Sequence, residues 1–384
     1  MDQLCQFHRN LFETNCFSML EMVLMIAGIP IESPTTNSWK RTIPRISNVI
    51  SALQLALTIG QFDGNADGLG SCCVKFLVLN HFAEPIREVQ NFIVNRPCDS
   101  GDNQHDASIR EKFGKSVKRI LVAIMTMVAM DMVVISIPSS QRTKLLGIPK
   151  YFLKFGSFCY KSVQFLYGFF IPLIWIPMYL SYPLVLGILL TGLRTEMQIL
   201  KHSFEHLGHQ TKSGLFDKRH WLQLKHDIGG LLNQQLLLHR HLRTVRHLVG
   251  FGFFIAYYFA VFFIGAILFI TKMHDIAFFV VFLISLFMVV LIECYCWCHL
   301  VDSLDDVADG IGQSIYELCA KLPDSREYHS DFVAMRTSLM IIWMNTCNSP
   351  QVKCLGIFRI CSEKFVSLCN ASYTVFTFFI GMPH

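Results

Sequence analysis

Long apolar segments recur along the chain, and a charged segment separates each of them from the next. The last apolar segment is residues 365–384, since no Asp, Glu, Lys or Arg follows Lys364. A helix needs about 20 mostly apolar residues to cross the hydrocarbon core of a bilayer. The pattern therefore predicts a membrane-spanning helix at this end of the chain, with the C-terminus at the far surface.

Six further segments have the length and apolarity of a membrane span. They are approximately residues 43–62, 69–92, 120–138, 162–193, 248–271 and 276–298. The second span is the weakest, because it contains Lys75, Glu84, Pro85 and Arg87. An amphipathic segment before the first span is predicted to lie at the membrane interface. We therefore predict an all-α polytopic membrane protein with seven transmembrane helices.

The distribution of basic residues predicts the orientation of these spans. Most of the 33 Lys and Arg lie in segments 1–45, 87–119, 194–246 and 321–364, although loop 139–161 is a local exception. Because Lys and Arg are enriched in cytoplasmic segments, we expect the N-terminus in the cytoplasm and the C-terminus outside the cell.

The uneven lengths between the spans predict four regions. They are a cytoplasmic N-terminal segment with the interfacial helix (1–42), a six-helix transmembrane bundle (43–300), a cytoplasmic anchor region (301–354) and a terminal helix (355–384). Between residues 222 and 247, apolar positions recur at spacings of three and four, which is typical of a helix. We therefore expect cytoplasmic helix extensions over residues 194–247 that form a helical bundle beneath the membrane.

The composition excludes most soluble classes of protein. The chain is 52% hydrophobic and only 16% charged, whereas soluble domains are about 25% charged. The net charge of +5 follows from the inter-span loops, so no nucleic-acid partner is predicted. No Gly-rich phosphate loop, nucleophile elbow or acid/base pair is recognisable. We therefore predict neither an enzyme nor a cofactor.

Three clusters of metal-ligand residue types are explained more simply without a metal. His202, His206 and His209 share one helical face, and residues 293–299 read ECYCWCH. In the second cluster, alternate residues of a helix point in different directions, whereas zinc needs its ligands around one point. The third cluster, Asp302, Asp305, Asp306 and Asp309, lacks the spacing of a calcium loop. We predict solvated helix faces and a Cys-rich helix end.

Aromatic and Met side chains in the outer halves of the spans predict an apolar ligand pocket. Small apolar ligands bind in largely apolar, aromatic-lined cavities that contain few polar groups. An acid within a span, such as Asp131, usually faces a cavity or a partner; a structural pairing with Lys75 is the alternative. For the aromatic residues, helix packing and lipid contact are the alternative. The predicted ligand-binding residues are Phe76, Met127, Met130, Asp131, Val134, Tyr160, Phe165, Phe169, Phe170 and Phe278.

The terminal helix resembles that of the insect odorant receptors. A run NASYSYFT is typical of that family, and residues 365–377 of this chain read FVSLCNASYTVFT. The segment LRTEMQIL at residues 193–200 also fits, as do the chain length, the inverted orientation and the uneven loops.

The resemblance implies the odorant-tuning subunit of a heteromeric ligand-gated non-selective cation channel. Such subunits form heterotetramers with a shared co-receptor, Orco, whose longer insertion between the fourth and fifth spans is absent here. A small volatile molecule would bind in the outer half of the helix bundle, and the aromatic lining favours an aromatic or heteroaromatic one. The anchor region would join the subunits, and the terminal helix would line the pore. The implied location is the plasma membrane of an olfactory sensory neuron dendrite.

The resemblance assigns the pore and gating positions to Tyr373, Thr377, Phe378 and Gly381. Alignment with the co-receptor's terminal helix places Phe378 at its pore-narrowing Val and Gly381 at its pore-facing Gln. This chain also departs from the family at Val375, where a second Tyr is typical. Phe378 is bulkier than the Val that it replaces, and Gly381 lacks the polar group of the Gln. We therefore predict that this subunit alone forms no working channel.

Three alternatives are weighed against this interpretation. A gustatory receptor-type channel usually carries a T-Y-x5-Q-F signature, but here Ser372-Tyr373 precedes Gly381-Met382. A G-protein-coupled receptor requires the opposite orientation and a D/E-R-Y-like site after the third span. A transporter is expected to contain internal repeats, and we find none.

Overall fold

Seven helices and one β-hairpin make up the part of the chain that the structure describes. The computed structural model describes residues 77–136, 156–210, 218–273, 278–322, 329–347 and 351–381, with isolated positions 20, 24, 48, 49 and 154. The helices are α1 (Ala83–Asn95), α2 (Asn103–Ser136), α3 (Ser157–Gln210), α4 (Lys218–Met273), α5 (Phe278–Lys321), α6 (His329–Cys347) and α7 (Ser362–Gly381). Strands β1 (Lys353–Cys354) and β2 (Phe358–Arg359) pair antiparallel. The all-α prediction is confirmed.

Three of the helices are much longer than a membrane span. Helices α3, α4 and α5 contain 54, 56 and 44 residues, whereas about 20 residues cross a bilayer. Within the described residues, two stretches are long and apolar enough to be spans, Pro177–Gln210 of α3 and Trp221–Gly265 of α4. The predicted first span and residues 69–76 of the second lie outside the described residues, apart from positions 48 and 49.

Two helices begin at positions that differ from the predicted spans. Helix α2 starts at Asn103, well before the predicted third span, because the carboxylate of Asp102 caps it. One oxygen of Asp102 accepts hydrogen bonds from the backbone N–H groups of Gln104 and His105 at 3.0 and 3.1 Å, and a cap of this kind satisfies otherwise unpaired donors. Helix α7 starts at Ser362, and the hairpin occupies residues 353–359 before it.

The chain divides into two compact units. The first comprises Met1–Ala83 and Gly114–Val185, and the second comprises Glu84–Phe113 and Leu186–His384. The second unit contains α4 to α7, the hairpin, and parts of α1, α2 and α3. Its fully buried side chains include Leu193, Phe204, Trp221 and Phe253. The described contacts of the terminal helix with α4 and α5 lie within this second unit.

A buried ion pair fixes the start of α2 against α3 within the second unit. The guanidinium of Arg110 donates from Nε and Nη2 to the two carboxylate oxygens of Glu196, each at 3.1 Å. Nη2 also donates to the carbonyl oxygen of Cys98 at 2.6 Å. The Glu196 side chain is only 2% exposed, so removing Arg110 would leave an uncompensated buried charge.

Candidate functional site

The terminal helix α7 has one face packed against the protein and an opposite face that is exposed. On the packed face, Leu368 and Ser372 are buried, and Phe365, Ala371 and Val375 are partly buried. These side chains pack against a cluster from α4 and α5 that comprises Ala256, Ala260, Val261, Ile264, Val290 and Cys294. Small side chains on α4 allow the two helices to approach closely, as is common where membrane helices associate.

Helix α7 approaches α4 closely at Gly265. A Cβ atom at this position would lie 2.6 Å from Cγ1 of Val375, 3.0 Å from its Cβ and 3.4 Å from the backbone nitrogen of Phe376. A side chain at position 265 would therefore overlap α7. Because Gly265 has no side chain, α7 can pack at a short distance from α4.

The exposed face of α7 carries polar groups along its length. Tyr373 is 63% exposed, and Asn370, Thr374 and Thr377 are also exposed. At about 100° per residue these four positions fall within one arc of the helix, opposite Leu368. The hydroxyl groups of Thr374 and Thr377 donate to carbonyl oxygens of α7 itself. The side-chain amide of Asn370 makes no hydrogen bond to any described residue.

Polar groups on a membrane-spanning face are costly in contact with lipid and usually meet water or another protein. The exposed face of α7 is therefore better suited to a water-filled passage or a protein neighbour than to acyl chains. The four residues assigned to the pore all lie on the exposed side of the helix. Phe378 is 62% exposed at the edge of the polar arc, and Gly381 is exposed in the last turn.

Charge is distributed unequally between the two faces of α7. Glu363, in the first turn, is exposed and lies in the same arc as Asn370 and Thr377. Lys364 instead points towards the hairpin, where its Nζ lies 5.5 Å from the centroid of the Phe358 ring. The exposed face therefore begins with a carboxylate, and the one basic side chain of the helix is directed away from it.

The residues that hold the inner end of α7 come from an acidic cluster on α5. One oxygen of Asp302 accepts hydrogen bonds from both the backbone nitrogen and the hydroxyl of Ser362. Asp305 accepts from Nη2 of Arg359 in the hairpin at 3.1 Å. We call these four residues the clasp. The predicted solvated acidic face is therefore only partly solvated, because Asp305 is 14% exposed and Asp302 has a hydrogen-bond partner.

The predicted ligand-binding residues are only partly described. Met130 and Phe165 are each 63% exposed, and Tyr160 is half-buried. Phe76 lies outside the described residues. The backbone, but not the side chain, is described for the remaining six: Met127, Asp131 and Val134 in α2, Phe169 and Phe170 in α3, and Phe278 in α5. The pocket stays a prediction.

Two of the clusters of metal-ligand residue types, for which no metal was predicted, make other contacts. Among the described residues, no group of three or more His, Cys, Asp or Glu is arranged to hold a metal ion. The ring of His202 stacks on that of His105 with centroids 3.9 Å apart. In the Cys-rich stretch of α5, Cys294 and Cys298 are buried whereas Cys296 is exposed, as expected for alternate positions of a helix.

The fold is similar to that of an insect olfactory receptor of known structure, in agreement with the resemblance of the terminal helix. No family model and no curated protein sequence matches the chain. Among solved structures, the chain is similar to the insect olfactory receptor OR5 from Machilis hrabei, with a TM-score of 0.67 and 11% identity over 95% of this chain and 97% of that one. The same receptor in complex with eugenol gives a TM-score of 0.71 and 11% identity over 97% and 98% of the two chains.

Proposed function

We propose that this chain is an odorant-tuning subunit of a ligand-gated non-selective cation channel of the insect odorant receptor family. The observation that carries the proposal is the two-sided character of α7. One face packs against α4 and α5, and Asn370, Tyr373, Thr374 and Thr377 are exposed on the other. Such a face is suited to line a passage when several subunits surround a common axis.

The ligand that we propose is a small volatile molecule, aromatic or heteroaromatic, bound in the outer half of the helix bundle. The aromatic composition of the predicted lining supports this class, and the similar receptor was solved with eugenol, itself a small aromatic compound. The ten residues predicted from the sequence are the proposed contacts. Burial of apolar ligand surface would supply most of the affinity, at about 25 cal/mol per Å².

Binding opens the channel only if the ligand prefers the open state. In the mechanism that we propose, α4 and α5 move when the pocket is occupied and draw α7 outward from the pore axis. Their packed contacts with Leu368 and Val375 provide the connection. The outward movement widens a hydrophobic constriction at Phe378, which otherwise excludes ions by dewetting.

The charge distribution of α7 fits a pathway for cations. In an assembly around one axis, Glu363 of each subunit contributes an acidic group at the inner mouth, and rings of acidic side chains favour cations. Lys364 lies over Phe358, so it adds no opposing ring at this level.

The partner that we propose is Orco, in a heterotetramer at the plasma membrane. The large exposed side chain of Phe378 would appear four times around the axis of a homotetramer. A smaller residue at that level in the partner subunits would relieve the crowding. We therefore expect the chain to need Orco in order to conduct.

Whole-cell recording tests this function directly. The chain is expressed with and without Orco and exposed to a panel of aromatic, heteroaromatic and aliphatic volatiles, with surface labelling as a control. Ligand-evoked cation current only with both subunits is the expected result. Robust current from the chain alone would refute the need for Orco. Absence of current from surface-expressed heteromers across a broad panel, together with a C-terminal tag that is inaccessible on intact cells, would overturn the proposed channel.

A further inference from the structure

We propose that Asp302 and Asp305 of α5 are positioning residues for gating, which transmit movement of α5 to the inner end of the pore helix through the clasp. This inference rests on the proposed channel function and identifies the residues that couple two of its moving parts. It is separate from the packed contacts along the length of α7, because the clasp acts at the first residue of that helix.

Asp302 holds the backbone of α7 directly. Its carboxylate accepts a hydrogen bond from the backbone nitrogen of Ser362 at 2.8 Å and a second one from the hydroxyl of the same residue. Hydrogen bonds to an ionised acceptor are stronger than neutral ones. Because a main-chain group is held, only the short side chain of Asp302 lies between α5 and the start of α7.

Asp305 holds the hairpin one helical turn further along α5. Its carboxylate accepts from Nη2 of Arg359 at 3.1 Å and is only 14% exposed. Burial raises the pKa of Asp305, and the positive charges of Arg246 on α4 and Arg359 on the hairpin oppose that rise. The pair is therefore partly shielded from water. Loss of one partner from a shielded pair destabilises a protein more than loss of one from an exposed pair.

The hairpin is also seated firmly on α4. A Cβ atom at Gly250 would lie 2.5 Å from the carbonyl oxygen of Lys353, so the hairpin backbone contacts the helix where it has no side chain. The ring of Phe358 lies 5.3 Å from that of Tyr257 and 6.3 Å from that of Phe253, between centroids. The hairpin therefore contacts both α4 and α5, and it directly precedes α7 in the chain.

Asp302→Asn and Asp305→Asn test the coupling, with Asp306→Asn as the matched control. Asp306 is an exposed acid on the same helix, so the control makes the same chemical change without touching the hairpin. Each variant is co-expressed with Orco, and the maximal ligand-evoked current is divided by the amount of surface-labelled subunit. We expect about a tenfold fall for Asp302→Asn and Asp305→Asn, within the range typical of coupling between sites, faster current decay after ligand removal, and no change for Asp306→Asn.

A double variant separates coupling from folding. In Asp305→Asn/Arg359→Gln both charges of the pair are removed, whereas Arg246 loses the neighbouring charge of Asp305 in the single and the double variant alike. If the pair transmits movement, the double variant should be no worse than either single one, and its current per surface subunit should stay low. If current per surface subunit returns to the wild-type value in the double variant, the pair is only structural and the inference is wrong.

The outcomes distinguish this inference from the proposed function. Wild-type current with Orco, together with clasp variants that match Asp306→Asn per surface subunit, would overturn the clasp and leave the channel standing. If wild-type subunits at the surface give no ligand-evoked current, the proposed function fails and the inference fails with it.

Discussion

The contact between Gly265 and Val375 predicts in which direction a substitution would shift the equilibrium between the closed and open states. In Gly265→Ala the new methyl carbon lies 2.6 Å from Cγ1 of Val375, which is 0.8 Å short of the 3.4 Å at which ordinary contact begins. The clash is relieved if α7 moves away from α4, towards the pore axis. Since the proposed opening draws α7 in the opposite direction, the substitution should oppose opening.

The size of the effect follows from the cost of overpacking. Extra methyl groups in a well-packed core cost about 1–3 kcal/mol. If the open state bears that cost and the closed state avoids it, the open–closed equilibrium shifts by roughly 5- to 150-fold. We expect a higher half-maximal ligand concentration and a lower maximal current, measured by whole-cell recording from cells that express the variant with Orco.

Two further variants control for other effects. Gly230→Ala adds the same methyl group to the same helix, at a site with no described atom within 4 Å of the new carbon, so it should leave the response unchanged. Val375→Ala removes the atom at 2.6 Å and should partly rescue Gly265→Ala, although the Cβ at 3.0 Å remains. An unchanged or more sensitive response in Gly265→Ala, at normal surface expression, would refute the outward movement of α7.

Three other substitutions test separate parts of the structure. Tyr373→Ala should abolish ligand-evoked current and leave surface expression intact; a normal response would show that this exposed ring takes no part in gating. Glu363→Lys should lower cation conductance and shift the reversal potential in asymmetric salt, with Glu363→Gln intermediate, whereas equal conductance in all three proteins would exclude an acidic mouth. Arg110→Met leaves Glu196 as an unpaired buried charge and should destabilise the protein by about 3–5 kcal/mol. Thermal unfolding of purified protein should show a smaller loss for Arg110→Met/Glu196→Met, and an equal loss would contradict the buried pair.

Features that depend on long stretches of sequence were predictable. The charge-free run after Lys364 predicts a terminal helix, and α7 occupies Ser362–Gly381. Three- and four-residue spacing over 222–247 predicts the extended helix that α4 forms. The cap at Asp102 was also present in the sequence as an Asp next to a Gly and before a polar helix start, a recognisable signal. The apolar pattern marks only the predicted span at residues 120–138, so the part of α2 that precedes it was not predicted.

Features that depend on short segments or distant partners were not predictable in the same way. Strands of two residues are too short to show an alternating pattern, so the hairpin was missed. Gly356, with φ of +80°, marks its turn, but the neighbouring Leu355 has a φ of +46°, which its residue type does not predict. The clasp joins residues 54 and 60 positions apart, and nothing in the spacing of the Asp residues distinguishes those with partners from Asp306. An acidic helix face looks the same in sequence whether water or a neighbouring segment covers it.

Which side of α7 is exposed matters most for the proposed function, and it is the property that is hardest to predict from the sequence. The run Asn370-Ala371-Ser372-Tyr373-Thr374 contains four residues that can form hydrogen bonds with water in a passage, yet Ser372 is buried and its hydroxyl donates to the carbonyl of Leu368. What selects the exposed side is the surface of α4, where Gly265 admits Val375 and thereby turns Tyr373 outward. The chemistry of the exposed face of α7, which we propose lines the pore, is therefore determined as much by a missing side chain on α4 as by the residues of α7 itself.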